Sequence, residues 1–145
     1  MIVITPKGFK NQKCDYTLLY LCGMSETCEK YLSYYLEKNR SKQSYPWNSK
    51  YSTGPFLEHL PGNYRLIFWH GPNRPITRLN HKETTAWFDV KALPCNDPDR
   101  YNMLHVYDSV QEISEFINTD QIDCQWYLSG FSMGSCMSLA ITLMA

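Results

Sequence analysis

Apolar and polar positions along this chain follow two rhythms in turn. Tyr16–Leu21 is almost continuously apolar or β-branched over one strand length, the pattern of a strand covered on both faces, as in a parallel sheet. A shorter β-prone stretch, Ile2–Ile4, precedes it and is stopped by Pro6 and Gly8. Cys22-Gly23-Met24-Ser25 turns the chain, and from about Glu26 to Asn39 the rhythm becomes helical. There Cys28, Tyr31, Leu32, Tyr35 and Leu36 form one apolar stripe. Ser25 stands at the capping position, and Glu26 and Glu29 in the first turn suit the positive end of the helix dipole.

Residues 41–63 break both rhythms. Pro46, Gly54, Pro55, Pro61 and Gly62 punctuate a polar stretch, which predicts an inserted loop anchored by Trp47, Tyr51, Phe56 and Leu57. Arg65–Trp69 predicts a second strand running into an extended, turn-rich loop at His70–Pro75, and Trp87–Val90 an ordered segment. After the breakers Pro94 and Pro98, Met103, Val106, Tyr107, Val110, Ile113 and Ile117 mark a helix from about Arg100 to Asn118. A third strand, about Gln125–Leu128, leads into a helix-like run at Cys136–Ile141. Strands alternating with helices predict an α/β fold with a mostly parallel sheet and right-handed crossovers.

Composition narrows the function classes. The chain has 145 residues, enough for one domain with a core. Its 14 basic and 14 acidic residues cancel, so no basic footprint points to nucleic acid. None of the six cysteines forms a C-x-x-C pair, and no metal site is expected. The N-terminal stretch lacks a charged region followed by a long apolar one, and no apolar run is long enough to cross a bilayer. The expectation is a soluble, cytoplasmic protein whose cysteines remain thiols.

The candidate chemistry lies at Gly130-Phe131-Ser132-Met133-Gly134. This G-x-S-x-G spacing, between a strand and a helix, is that of a nucleophile elbow; a plain strand–helix turn is the competing reading. A serine hydroxyl needs a base, an orienting acid and donors for the oxyanion. Gly130 and Gly134 keep side chains out of the bend, and helix N-terminal amides lie near the developing charge. His70, His81 and His105 read most simply as structural or surface residues, and His59 falls in the inserted loop. Asp89 precedes the serine, against the usual hydrolase order of Ser, acid, His, and reads as a loop-fixing acceptor. Cys22 reads as a loop residue rather than a catalytic thiol.

Three co-linear segments carry a resemblance. His70-Gly71-Pro72-Asn73-Arg74-Pro75-Ile76-Thr77 resembles P-H-A-P-x-R-P-V-T, Trp87-Phe88-Asp89 matches W-F-D, and Gly130-Phe131-Ser132-Met133-Gly134-Ser135 resembles G-F-S-Q-G-G. With residues 16–24 they make the chain similar to the acyl-protein thioesterase and carboxylesterase family of small α/β-hydrolases. The resemblance implies a serine hydrolase that cleaves thioester- or ester-linked fatty acyl groups through an acyl-serine intermediate, without a cofactor. It implies Ser132 as nucleophile and the backbone amides of Met133 and Met24 as oxyanion donors. Where the family carries L-H-G-L-G-D, this chain reads Leu21-Cys22-Gly23-Met24-Ser25-Glu26. The implied substrate is an acylated protein or lipid ester, with at most transient contact with a membrane surface.

Ser132 stands close to Ala145, whereas the family's acid and base follow its serine. The expectation is therefore a truncated α/β-hydrolase, a single partial domain over residues 1–145 that lacks the triad acid and base and is inactive by itself. The alternative is a non-catalytic remnant that binds acyl groups or another protein.

Overall fold

The structure, a computed structural model, describes residues 1–5, 13–36 and 62–144. The predicted inserted loop at 41–63 and the end of the first predicted helix lie almost wholly outside the described residues. Four strands form the main sheet: β1 (Ile2–Ile4), β2 (Lys13–Leu21), β3 (Tyr64–Trp69) and β6 (Asp123–Gly130). Their spatial order is β1-β3-β2-β6, with β3, β2 and β6 parallel and β1 antiparallel to β3. The mostly parallel α/β architecture expected from the alternating rhythms is the one observed.

Register explains why β2 is apolar on both sides. Leu18 pairs with Leu66 and Leu19 with Ile67, so odd and even positions of the two strands build separate layers. Leu19, Leu21 and Ile67 join one buried cluster with Val106, Val110 and Ile113 of α2 (Met103–Thr119) and Met133, Met137 and Ile141 of α3 (Met133–Met144). Tyr64, Leu66 and Phe68 join Cys22 and Cys28 on the other side, the latter opening α1 (Cys28–Leu36). Tyr20, Tyr31 and Phe68 stack there, with the Tyr20 and Tyr31 ring centres 4.5 Å apart. Two helices on one face and one on the other account for the continuous apolar run.

One segment differs from the sequence expectation. The predicted loop at 70–75 contributes to a hairpin, β4 (Asn73–Ile76) against β5 (Lys82–Thr85), with Asn73 paired to Thr85 and Ile76 to Lys82. Alternation was invisible because Pro75 and three consecutive polar residues, Lys82-Glu83-Thr84, occupy it. Asn80 and His81 turn the chain with φ of 54° and 60°, a left-handed conformation that asparagine and histidine tolerate better than most residues. The Trp87–Val90 segment that follows is buried, and Ser109 Oγ donates to the Trp87 carbonyl at 2.8 Å.

A second polar arrangement lies at the N-terminal ends of the parallel strands. Arg65 is buried, forks onto both carboxylate oxygens of Asp120, donates to Thr17 Oγ1 at 3.1 Å and stacks over Trp126. Every arm of this cation has a partner, as a buried charge requires, and the pair ties the end of α2 to the sheet.

Candidate active site

The C-terminal ends of β2, β3 and β6 converge, and each releases a loop there: Cys22–Thr27, His70–Pro72 and Phe131–Ser132. This is the edge at which open α/β sheets place their ligands. Ser132 joins β6 to α3 with φ of 51° and is exposed. A non-glycine residue held in the left-handed region is strained, and such residues gather at functional sites. The bend is possible only because its neighbours lack side chains. A Cβ on Gly134 would collide with the Leu21 carbonyl, and one on Gly130 with the backbone of Gly134 itself.

Backbone hydrogen bonds fix the turn. Phe131 N donates to Leu21 O at 3.2 Å, Gly134 N to Phe131 O at 2.8 Å, and Cys136 N to Ser132 O at 3.2 Å. Ser135 Oγ closes back onto Gly130 O at 2.6 Å. Met133 is the first residue of α3, so its amide points out of the helix with no partner in the helical ladder. That amide is a ready donor to an anion beside Ser132. The Met133 side chain is buried, and its sulfur accepts from Trp87 N at 3.2 Å. The elbow is thereby keyed to the Trp-Phe-Asp segment.

Met24 lies in the Cys22–Thr27 loop, half-buried against the cluster that holds Met133. Hydrogen bonds to its own Glu26 and to the neighbouring hairpin and Trp87 hold this loop. Gly23 N donates to Glu26 Oε2 at 2.8 Å, Ser25 N to Thr85 O at 2.8 Å, Thr85 Oγ1 to Glu26 O at 2.8 Å, and Trp87 Nε1 to Cys22 O at 2.8 Å. With the Gly23 amide occupied by Glu26, the amide of Met24 is the next along the loop. Ser25 has φ of 63°, the left-handed conformation a glycine adopts freely.

The sequence did not announce these loop anchors. Glu26 is three residues from the amide it holds, a spacing that was visible but that read equally well as a helix-dipole acid. Thr85 comes from the unrecognised hairpin, so no local signal could have found it.

Of the described histidines, His70 and His105 are tied to backbone amides, and His59 lies outside the described residues. His70 Nδ1 accepts from Cys28 N at 2.9 Å, capping α1. His105 Nδ1 accepts from Asp89 N at 3.2 Å, and burial lowers its pKa. His81 is exposed in the hairpin turn. Asp89 accepts from Thr77 N at 2.8 Å and Thr77 Oγ1 at 2.7 Å. Burial by itself would raise its carboxyl, but the two Thr77 bonds, together with the nearby His105 and His81, hold it below the usual range. Asp89 is thus the loop-fixing acceptor expected from its position. Cys22 is fully buried, its thiol held protonated by the neighbouring Cys28 and by burial.

Among the described residues no histidine or carboxylate is hydrogen-bonded to Ser132, and no group of three metal-binding side chains is arranged to hold an ion. No described helix is long and apolar enough to cross a membrane.

A family model described as Phospholipase/Carboxylesterase matches residues 55–145. No curated protein sequence matches the chain. The fold is similar to the crystal structure of Zea mays acyl-protein thioesterase 2, with a TM-score of 0.65, 24% identity, 95% of this chain and 48% of that one covered. It is also similar to that of Arabidopsis thaliana SOBER1, with a TM-score of 0.60, 20% identity, 90% of this chain and 55% of that one covered. The chain spans about half the length of these solved structures.

Proposed function

We propose, from the premise that this chain belongs to the phospholipase/carboxylesterase family, that it carries the nucleophile of a serine esterase or thioesterase acting on fatty-acyl groups. The observation behind this reading is the exposed Ser132, held at φ of 51° beside the free amide of Met133 at a helix start. In this reading Ser132 Oγ attacks the acyl carbonyl, and its proton passes to a base from outside the described residues. The carbonyl oxygen becomes an oxyanion held by the amides of Met133 and Met24. Collapse expels the thiol or alcohol and leaves an acyl-Ser132 ester, which water then cleaves. The substrate is an acylated protein or a lipid ester, and the chemistry uses no cofactor.

Fluorophosphonate labelling tests the assignment. Label is expected on Ser132 in a protein that also supplies the acid and base, and Ser132→Ala is expected to abolish it while leaving the thermal midpoint nearly unchanged, because only one exposed hydroxyl is lost. A second reading, a non-catalytic acyl-binding protein, draws support from the absence of a bonded histidine or carboxylate at Ser132 among the described residues. A folded protein that binds fatty acyl chains but takes no label would favour that reading.

A further inference from the structure

Two cysteines meet where β2 and β6 begin, at the far end of β6 from Ser132. The register of the two strands shifts there. Lys13 pairs with Asp123 and Tyr16 with Gln125, so Cys14 and Asp15 together oppose the single residue Cys124. Both sulfurs turn to one hydroxyl: Thr17 Oγ1 lies 3.7 Å from Cys14 Sγ and 2.9 Å from Cys124 Sγ. The two thiols therefore stand on the same face of adjacent strands. Arg65 Nε donates to that same oxygen at 3.1 Å. A hydroxyl has one hydrogen and two lone pairs, so Thr17 can donate to one sulfur only. The nearer sulfur, that of Cys124, receives the hydrogen, and the Cys14 thiol donates to the second lone pair. Cys14 is also the thiol that keeps its proton, since burial and then the neighbouring Cys124 push it up. Cys14 is buried, whereas Cys124 is partly exposed.

We propose that Cys14 and Cys124 are a redox modification site, forming a reversible disulfide under hydroperoxides that staples β6 to β2. The step balances with a hydroperoxide as oxidant. The partly exposed Cys124 releases its proton to solvent, and the thiolate attacks one peroxide oxygen. The O–O bond breaks, an S–O bond forms, and the leaving oxygen takes a proton back from solvent. Cys14 sulfur then attacks Cys124 sulfur. An S–S bond replaces the S–O bond, and hydroxide leaves as water with the Cys14 proton. With hydrogen peroxide the sum is two thiols oxidised to one disulfide and one peroxide reduced to two waters.

Geometry and access both favour this pair. Neighbouring strands lie about 4.8 Å apart, inside the range of Cα separations, about 4.4–6.8 Å, that a disulfide bridges. Side-chain rotation away from Thr17 then brings the sulfurs together without moving either strand. A thiolate formed on Cys124 keeps the Thr17 hydrogen bond, the kind of donor that marks a reactive cysteine. Asp120 takes the other arms of the Arg65 cation, so Arg65 acts here by fixing the Thr17 hydroxyl. By contrast, Cys22 and Cys28 are fully buried, and exposed Cys95 gives its own proton to the Ala92 carbonyl at 3.6 Å. The bond joins residues far apart in sequence, so it removes freedom from the unfolded chain and raises stability. Nothing in this proposal rests on the hydrolase reading.

The test treats the reduced full chain with hydrogen peroxide, quenches, unfolds and alkylates it, and cleaves before aspartate and after aromatic residues. Asp15 follows Cys14 directly, so Cys14 parts from Cys22 and Cys28, while Asp123 and Trp126 bracket Cys124 apart from Cys136. Expected are a joined Cys14–Cys124 peptide released by dithiothreitol, and a urea midpoint that rises on oxidation and falls back on reduction. In Cys14→Ser, Cys124 is expected to be trapped by dimedone as its sulfenic acid. Adding Thr17→Val is expected to slow that trapping about threefold, the net of a tenfold smaller thiolate fraction and a more nucleophilic sulfur. Adding Thr17→Ser, which keeps the hydroxyl, is expected to retain the rate. Oxidation of other cysteines while Cys14 and Cys124 both stay alkylatable would overturn the proposal, as would a link from Cys124 to any cysteine but Cys14. An unchanged midpoint after the bond forms would overturn the staple, and equal rates with valine and serine would overturn the role of Thr17. None of these readouts involves Ser132, so a failure of fluorophosphonate labelling would count against the hydrolase reading alone.

Discussion

Ser132 and its two glycines divide one sharp bend between them. The left-handed backbone of Ser132 costs a side-chain-bearing residue roughly 1–2 kcal/mol, while Gly134 is needed because the Leu21 carbonyl occupies the place of a Cβ. Opposite substitutions therefore have opposite signs. Ser132→Gly is expected to raise stability by about 1 kcal/mol, since relief of strain exceeds the extra entropy lost on folding. Gly134→Ala is expected to lower it by about 3 kcal/mol, because backbone rather than a flexible side chain must move. Urea unfolding of the two variants checks both, and a Gly134→Ala protein as stable as the parent would mean that the close approach to β2 is absent. These residues were legible in the sequence because a short motif encodes a local bend. The Cys28–His70 contact was not, since the two lie 42 positions apart and meet only when β3 aligns beside β2.

At the scale of elements, legibility followed how far each one depends on its own sequence. Helix α2 announced itself through Val106, Val110 and Ile113 and is capped by Asn102, whose side chain accepts from His105 N. The β4–β5 hairpin did not, because its strands lean on neighbours rather than on an apolar face of their own. Asp89 shows what holds it: the carboxylate receives two bonds from Thr77, just past β4, and so pins the hairpin to the buried Trp-Phe-Asp segment. Its folded pKa lies below the ordinary value of 3.8. The sign follows from linkage: the carboxylate contributes stability above that value, and the contribution is lost as pH falls through the lower folded pKa. Asp89→Asn is expected to cost about 1–2 kcal/mol at neutral pH, with the difference from the parent shrinking to nothing in strong acid. Melting temperatures of both proteins across the acid range check this, with His105 common to the two. A difference that stayed constant with pH would assign the effect to packing instead of charge.

At the scale of the whole molecule, the two edges of the sheet are unequal. The antiparallel strand β1 closes one side, whereas β6 has β2 as its one strand partner among the described residues. Helix α3 packs Met133, Met137 and Ile141 inward, yet its opposite side carries Leu139 at 61% and Leu143 at 74% exposure, with Tyr127 and Phe131 exposed nearby in sequence. The apolar run of α3 had been legible as a helix, but which of its sides is covered depends on the layers around it, and that no periodicity could specify for a helix apolar all round. A strand edge without a second strand partner among the described residues, beside an exposed apolar helix face, favours self-association. The chain is therefore expected to associate as its concentration rises. Replacing Leu139 and Leu143 together with lysine should move its sedimentation toward the monomer, while the urea midpoint changes by less than the equivalent of about 0.5 kcal/mol per site, as for other exposed positions. If the parent sediments as a monomer at every concentration, the face is not adhesive. If the lysines unfold the protein, Leu139 and Leu143 contribute to the core, and α3 packs in a different rotation from the one described.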